Sequence, residues 1–145
     1  MPRTPKDILQ QTTFYSDQQL YTFIRLPGKA VTAAAGVVAE IGEPFCGLVV
    51  DKDEVSLLIP EDAWNDFQHR LPGAEISATT YRLVTIDMVL EPDLVGFLAY
   101  VSRALADANV SILAFAAYNR DHFFVPSDQF EAALSQLQRL QSNQG

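Results

Sequence analysis

Two stretches of the chain, LLIPEDAWNDF and FFVPSDQFEAAL, share one order of apolar and polar positions. Each begins with three apolar residues and a proline, and each continues through an aspartate to an aromatic residue. When Pro60 is aligned with Pro126, the match extends over residues 47–71 and 113–137. Both segments read as an apolar strand, a polar turn, a second apolar strand and a helix that begins after the proline. The pattern therefore indicates an internal repeat.

The helix after each proline has an apolar stripe at the helical period. The stripe of the first helix consists of Trp64, Phe67 and Leu71, and the stripe of the second of Phe130, Ala133, Leu134, Leu137 and Leu140. Polar residues stand where each helix begins, and short polar side chains at that position cap the free N–H groups. The two helices are therefore predicted to bury one face each.

A further strand and helix precede each of these segments. LYTFIRL and YRLVTIDMVL have the residue types and partial alternation of strands. Two apolar stripes predict the helices: Val31, Ala34, Val38 and Ile41 in the first half, and Leu94, Leu98, Val101, Leu105 and Ala108 in the second. Asn109 suits the left-handed residue just past the second helix, with Val110 folding back onto it.

The order of elements is therefore βαββα, then PGAEISATT as a linker, then βαββα again. A strand-helix-strand crossover followed by a hairpin gives an antiparallel sheet with both helices on one face. The predicted fold is α+β, with two ferredoxin-like modules in tandem. We expect an N-terminal extension over residues 1–19, a degenerate first module over 20–72, a linker over 73–80 and a second module over 81–145.

Composition narrows the classes of function. Hydrophobic residues make up 48% of the 145 residues and charged residues 19%, which is typical of a folded domain. The formal net charge of −8 disfavours nucleic acids and anionic membranes as partners. Cys46, the one cysteine in the sequence, has no intramolecular disulfide partner, and the first residues, MPRTPKDILQ, lack the apolar core of a signal peptide. We expect a soluble, cytoplasmic protein.

The sequence has little of what enzymatic chemistry requires. Two histidines and one cysteine supply no metal cluster, and no phosphate-binding loop or nucleophile motif occurs. Asp121 and His122 are neighbours on a predicted strand, so their side chains point in opposite directions. Cys46 precedes an apolar strand and is expected to lie in or near the core. We therefore expect a protein that is not an enzyme and uses no cofactor or metal.

The second half of the chain resembles an ACT domain, a small ligand-binding module of amino-acid metabolism. The resemblance rests on LVGFLAYVSRALADANVSILAFAAYNRDHFFVPSDQFEAAL, which has a helix start at leucine-valine-glycine, an alanine-rich helix that closes at Asn109, and a hairpin strand led by aspartate. DHFFVP followed by an acidic helix resembles the tandem branch of that family, which includes the cytosolic arginine sensor and uncharacterised bacterial proteins of this length. The match is strong over about 60 residues and weaker in the first half.

The resemblance implies a site for a small effector, usually an amino acid, where two modules meet near the loop LEPDLVG. Candidate residues around a ligand carboxylate are Pro92, Asp93, Leu94, Val95 and Gly96, and candidate polar partners are Asn119 and Asp121. The acidic-x-x-proline-glycine turn common in the family is absent, which leaves the ligand's identity open. Independently of the family, unsatisfied N–H groups at a helix start favour an anion.

Each candidate also has a purely structural interpretation. Asp93 either holds a ligand ammonium or caps its own helix, and Gly96 either permits approach of a ligand or lets the helix lie close to the sheet. Asn119, Arg120 and Asp121, which the resemblance places at a second ligand-facing segment, also fit an ordinary hairpin turn. The sequence thus favours a regulatory small-molecule-binding protein, with a partner-binding module as the alternative. In that alternative, sheet edges or the face with Ser56 and His122 form a homodimer without a metabolite.

Overall fold

The structure is a computed structural model that describes residues 4–42, 45–91 and 94–142. In chain order, its helices and strands contain the predicted βαββα arrangement twice. The helices are α1 (Pro5–Gln10), α2 (Val31–Ile41), α3 (Glu61–Phe67), α4 (Phe97–Asp107) and α5 (Phe130–Ser142). The strands are β1 (Thr13–Tyr15), β2 (Tyr21–Pro27), β3 (Gly47–Val50), β4 (Glu54–Pro60), β5 (Glu75–Asp87), β6 (Leu113–Ala116) and β7 (Asp121–Pro126).

The chain divides into two compact units. The first unit is Asp17–Tyr81, and the second unit combines Met1–Ser16 with Arg82–Gly145. Strand β5 begins in the first unit and ends in the second, since the division falls after Tyr81. The first unit is therefore formed by consecutive strands, whereas the second combines β1 with strands from the end of the chain.

The first unit has the strand order β3-β4-β2-β5, with antiparallel pairing throughout. Residues 75–81 of β5 pair with β2, so that Tyr81 lies opposite Tyr21. In order of sequence, β5 is the fourth strand of this unit, which completes the βαββαβ arrangement of a ferredoxin-like module. Its core is a cluster of apolar residues from β2, β4, α2 and α3: Ile24, Leu26, Ala34, Val37, Val55, Leu57, Ile59, Ala63 and Leu71.

The second unit has the strand order β6-β7-β5, and β1 pairs with β5. Residues 82–87 of β5 begin this unit, and β1 occupies the position of the fourth strand. The pairing of β1 with β5 is antiparallel, with Thr13 opposite Asp87 and Tyr15 opposite Thr85. The fourth strand thus comes from a segment that precedes the first unit in the sequence.

The core of the second unit lies between the sheet and helices α1, α4 and α5. Ile8 and Leu9 of α1 are buried in it, with exposed fractions of 5% and 1%. The other members are Val84, Ile86, Phe97, Val101, Leu105, Val110, Phe123, Val125, Phe130, Ala133 and Leu137. The predicted α+β class, with antiparallel strands and two βαββα repeats, is confirmed.

Two segments differ from the sequence prediction because each supplies a fourth strand. Residues 75–80, predicted as part of the linker 73–80, belong to β5. The segment EISATT contains β-branched residues that suit a strand, but the preceding Pro72-Gly73 indicated a loop. Residues 5–15, predicted as an extension outside the repeat, form α1 and β1. The module boundaries drawn at residues 72 and 81 remain a prediction.

Helix α4 begins later than the apolar periodicity indicates. Gly96 has a φ of 88°, a left-handed conformation, and it precedes the first helical residue, Phe97. Because the helix starts there, its buried stripe consists of Phe97, Val101, Ala104 and Leu105. The prediction that Leu94 and Leu98 lie on this stripe was wrong: Leu94 precedes the helix, and Leu98 is 44% exposed.

The predicted end of α4 at Asn109 is confirmed. Asn109 has a φ of 60°, and its N–H donates to the carbonyl of Ala106 at 2.9 Å. The N–H of Val110 donates to the carbonyl of Leu105 at 3.0 Å, and Val110 is buried. These two bonds form a Schellman motif, which satisfies the last carbonyls of the helix and turns the chain toward β6.

Replacement of Asn109 by alanine is expected to lower the free energy of unfolding by about 1 kcal/mol, because alanine lacks the short polar side chain whose local hydrogen bonds let asparagine adopt the left-handed conformation. Urea denaturation of the wild type and the variant measures the change. Asn109→Gly is the matched control, and it should stay within about 0.5 kcal/mol of the wild type. Equal midpoints for Asn109→Ala and the wild type would contradict this role.

Candidate functional site

A cleft of 380 Å³ lies in the second unit, between the start of α4 and the β6–β7 hairpin. One wall is formed by the loop after β5 and the first turn of α4. The opposite wall is formed by the end of β6, the hairpin turn and the start of β7. The lining residues are Leu90, Glu91, Leu94, Gly96, Phe97, Leu98, Ala99, Ala116, Ala117, Tyr118, Asn119, Arg120 and Asp121.

Backbone hydrogen bonds hold the two walls together. The N–H of Leu90 donates to the carbonyl of Asn119 at 2.8 Å, which ties the loop after β5 to the hairpin turn. Within the loop, the N–H of Leu94 donates to the carbonyl of Glu91 at 3.0 Å. The loop and the hairpin turn are thus fixed relative to each other at the bottom of the cleft.

The first turn of α4 presents backbone N–H groups at the cleft. The N–H of Tyr100 donates to the carbonyl of Gly96 at 2.9 Å and makes the first bond of the helix. Phe97, Leu98 and Ala99 precede that bond and line the cleft. N–H groups ahead of the first helical bond carry partial positive charge, so this end of the cleft favours an anion.

The hairpin side of the cleft carries both signs of charge. Asp121 lines the cleft and is half-buried, and this burial raises the pKa of its carboxyl, while the nearby imidazole of His122 acts in the opposite direction. Nε of Arg120 lies 3.1 Å from a carboxylate oxygen of Asp87, so this guanidinium is held against β5. A carboxyl and a guanidinium therefore border the same space.

His122 lies outside the cleft lining and contacts β5 instead. Its Nδ1 lies 2.8 Å from Oγ1 of Thr85, and Thr85 is only 5% exposed. Burial lowers the pKa of His122, with Asp121 raising it and Arg120 lowering it. The divergence of Asp121 and His122 follows the alternation expected of a strand. The histidine is a half-buried member of the sheet and does not complete a catalytic pair with Asp121.

The structure brings four of the seven predicted site residues together. Leu94, Gly96, Asn119 and Asp121 all line the cleft. Val95 is 86% exposed and is not among the lining residues. Pro92 and Asp93 lie outside the residues that the structure describes.

The sequence did not indicate that the first turn of α4 lines the cleft or that Arg120, which lies in the hairpin turn as expected, pairs with Asp87. The anion-binding N–H groups were expected around Val95 and Gly96, but the helical turn begins at Phe97. Gly96 was the available signal, since a glycine just before an apolar helical period often marks a left-handed residue. The pairing of Arg120 with Asp87 joins residues 33 positions apart and has no local sequence signal.

The described residues contain few groups suited to other chemistry. Within the ranges 4–42, 45–91 and 94–142, no group of three or more His, Cys, Asp or Glu residues could hold a metal ion. Cys46 packs against the core of the first unit, as predicted, and burial raises the pKa of its thiol. A raised pKa favours the unreactive thiol over the thiolate. None of the helices in the described part of the chain is long and apolar enough to cross a bilayer.

Comparison with known proteins gives a family match in the second half of the chain. Residues 76–139 match the family model of the ACT domain. This span contains α4, the β6–β7 hairpin, most of α5 and all of the residues that line the cleft. No curated protein matches the sequence.

Several solved structures share the fold over nearly the whole chain. A Vibrio cholerae protein of unknown function, a possible transport protein, is 23% identical with a TM-score of 0.72 and covers 92% of this chain and 93% of its own. An Agrobacterium tumefaciens protein is 19% identical with a TM-score of 0.70, covering 90% and 89%. The regulatory subunit of aspartate kinase from Thermus thermophilus, in its ligand-free form, is 16% identical with a TM-score of 0.67, covering 89% and 97%. At these identities the likeness establishes the fold.

The free energy of unfolding is expected to depend on the protonation of His122. Burial lowers the pKa of His122 below the ordinary 6.5 of the unfolded chain, so the folded protein binds this proton less tightly. The stability that neutral His122 contributes is therefore present above about pH 6.5 and is lost as the pH falls below it. Denaturation at about pH 7.5 and about pH 5 should show a steeper loss for the wild type than for His122→Asn.

His69→Asn is the matched control, because His69 is the other histidine and is exposed. This variant should keep the pH dependence of the wild type. If the free energy of unfolding changed equally with pH in the wild type and in His122→Asn, a lowered pKa of His122 in the folded protein would be contradicted.

Proposed function

We propose that the chain, whose residues 76–139 match the family model of the ACT domain, is a regulatory protein that binds a small effector, an amino acid, in the cleft beside α4. A regulatory, ligand-binding role is what an ACT domain indicates in general. The amino-acid class and the place of binding are inferred from the chemistry of the cleft. One observation carries the proposal: the first turn of α4 and the carboxyl of Asp121 border the same 380 Å³.

The two ends of this space are complementary to the two charges of an α-amino acid. The N–H groups of Phe97, Leu98 and Ala99 suit a carboxylate, since a helix start carries partial positive charge. The carboxylate of Asp121 suits an ammonium group, whose positive charge would in turn favour ionisation of that carboxyl. An anion alone would leave Asp121 facing like charge, so a zwitterion fits better than a simple acid.

The size and walls of the cleft suit a ligand of this class. Sites for small molecules commonly measure about 300–1,000 Å³ and are mostly apolar with a few oriented polar groups. The cleft lies near the lower limit, and Ala99, Ala116 and Ala117 supply small apolar walls. A ligand with a short aliphatic or polar side chain is therefore favoured over a nucleotide.

The proposed contacts divide between two segments. Pro92, Asp93, Leu94, Val95 and Gly96 are assigned to the loop around the ligand carboxylate, and Asn119 and Asp121 to the polar side. The arrangement of the first turn of α4 adds Phe97, Leu98 and Ala99 to this set. Asp93 is proposed as a second partner for the ammonium group.

Regulation follows if the ligand prefers one conformation of the cleft. A ligand shifts an equilibrium between two states only by its difference in affinity for them. The protein is proposed to act without catalysis, by presenting a changed surface to a partner in the ligand-bound state. A cytoplasmic location belongs to the same proposal, because the one cysteine in the sequence has no partner for an intramolecular disulfide.

Thermal unfolding in the presence of each of the twenty amino acids is expected to identify at least one that stabilises the protein. A ligand at 100 times its dissociation constant adds about 2.7 kcal/mol to the free energy of unfolding. Asp121→Asn and Asp93→Ala should abolish that stabilisation while the proteins still fold. Asp128→Asn removes an exposed acid outside the cleft and should retain it. A flat panel at millimolar concentrations would contradict amino-acid binding.

Assembly with a partner is the second candidate function, and exposed apolar side chains beside the cleft favour it. Tyr118 is 94% exposed, Val95 86% and Val89 60%. Large apolar side chains grouped at a surface often mark an interface. In this alternative the homodimer forms through this surface and no metabolite binds.

Sedimentation velocity distinguishes this homodimer from a monomer. If the surface forms a homodimer, Tyr118→Ser should weaken association at least about tenfold, because an aromatic side chain at the centre of an interface contributes more than about 1.4 kcal/mol. Val50→Ser, at a 54% exposed residue of the first unit, is the matched control and should sediment like the wild type. A wild-type monomer at all accessible concentrations would rule out the homodimer.

A further inference from the structure

The N-terminal strap, defined here as residues Thr4–Ser16, is fastened to the second unit at both of its ends. At one end, Thr4 and Asp7 form a capping box that starts α1, and Ile8 and Leu9 enter the core. At the other end, Oγ of Ser16 donates to the carbonyl of Leu83 at 2.6 Å. The strap supplies the fourth strand of this unit through β1.

Gln141 of α5 holds the middle of the strap. Its side-chain N–H group donates to the carbonyl of Leu9 at 2.9 Å and to the carbonyl of Thr12 at 2.6 Å. These carbonyls lie at the end of α1 and just before β1, where the chain leaves the helix. One amide therefore fixes the turn that delivers β1 to the edge of β5.

The strap lies against the residues of β5 that position the hairpin side of the cleft. Thr13 is opposite Asp87, which binds Arg120, and Tyr15 is opposite Thr85, which contacts His122. Arg120 and His122 are the two neighbours of Asp121 in the sequence. Displacement of β1 would therefore free both β5 residues that hold the segment around Asp121.

The strap also reaches the other wall of the cleft. A Cβ placed on Gly96 would lie 3.9 Å from Cγ of Pro5, so the first residue of α1 packs at the start of α4. Helix α1 packs against both α4 and α5. The strap thus touches the supports of both cleft walls without lining the cleft itself.

Such a segment is suited to local opening. Strand β1 has three residues, two of them exposed, and pairs with β5 through three residue pairs. Short edge elements open at a lower free energy than the core of a domain. Because the strap adjoins both walls, its opening and the geometry of the cleft depend on each other.

We infer that the N-terminal strap regulates the cleft, with the docked strap holding Asp121 and the start of α4 in the ligand-binding arrangement and the released strap loosening both. Coupling between two sites is reciprocal, so a ligand in the cleft would keep the strap docked. The inference rests on the proposed function for the identity of the cleft as a binding site. One part of the inference, that the strap and the cleft walls open together, can be tested without a ligand.

Hydrogen exchange on the full chain without ligand, followed by NMR, tests the coupling. Gln141→Ala removes both hydrogen bonds to the strap and is expected to raise exchange at Phe14 and Tyr15 roughly tenfold. Exchange at Asn119, Arg120 and Asp121 should rise with it. The pKa of His122 should also move up toward its ordinary value, because water reaches the imidazole when β1 leaves.

Gln138→Ala, at an exposed position of the same helix, is the matched control and should leave all of these quantities unchanged. Gln141→Glu keeps the side-chain length but replaces the donor by an acceptor, and it should act like Gln141→Ala. The inference is overturned if the strap exchanges faster while the cleft residues and His122 stay as in the wild type. It is also overturned if neither Gln141 variant raises exchange in the strap.

The amino-acid panel distinguishes failure of this inference from failure of the proposed function. If an amino acid stabilises the wild type, Gln141→Ala should weaken its binding about tenfold although Gln141 does not line the cleft. If no amino acid binds, the proposed function fails regardless of the exchange result. If an amino acid binds both proteins equally, the cleft is functional and the strap does not regulate it.

Discussion

The backbone pairing of β5 is the constraint on which both units depend. Residues 75–81 complete the first unit by pairing with β2, and residues 82–87 begin the second and accept β1 along their edge. A strand with a partner on each side has its N–H and C=O groups satisfied, which an isolated edge does not achieve. Without β5 the first unit would lack its fourth strand and the second its first.

The cleft depends on the same strand at its far end. Asp87, the last residue of β5, holds Arg120, and Thr85 contacts His122, so the segment around Asp121 is positioned from β5. After β5, the loop is tied to the hairpin by the bond from Leu90 to Asn119. The left-handed Gly96 then sets the direction of α4, and its first turn faces the cleft. The charge pattern that suits an amino acid is thus a consequence of where β5 ends.

Much of this fold follows from local sequence signals. The hairpins, the helices after Pro60 and Pro126 and the left-handed Asn109 depend on periodicity and turn residues within a few positions. The fourth strands could not be predicted in this way. A segment such as TFY is too short for a periodic signal, and its role depends on pairing with residues 70 to 74 positions later.

The candidate site likewise combines features that the sequence predicts with features that depend on tertiary pairing. Leu94, Gly96, Asn119 and Asp121 were chosen because the resemblance to the ACT domain implies a ligand at the loop and the hairpin, and all four line the cleft. The first turn of α4 was not predicted correctly, because the apolar periodicity extends back to Leu94. The helix begins only at Phe97, where the left-handed conformation of Gly96 sets its start. The support of Arg120 and His122 from β5 arises from tertiary pairing and is visible only in the folded chain.

We propose that an amino acid binds between the first turn of α4 and the segment around Asp121. Titration of the isotope-labelled full chain with amino acids, followed by amide NMR shifts, locates the bound ligand. Binding in the cleft should give saturable shifts concentrated at Phe97, Leu98 and Ala99 together with Asn119, Arg120 and Asp121. Saturable shifts confined to other parts of the chain, or no shifts with any amino acid, would contradict it.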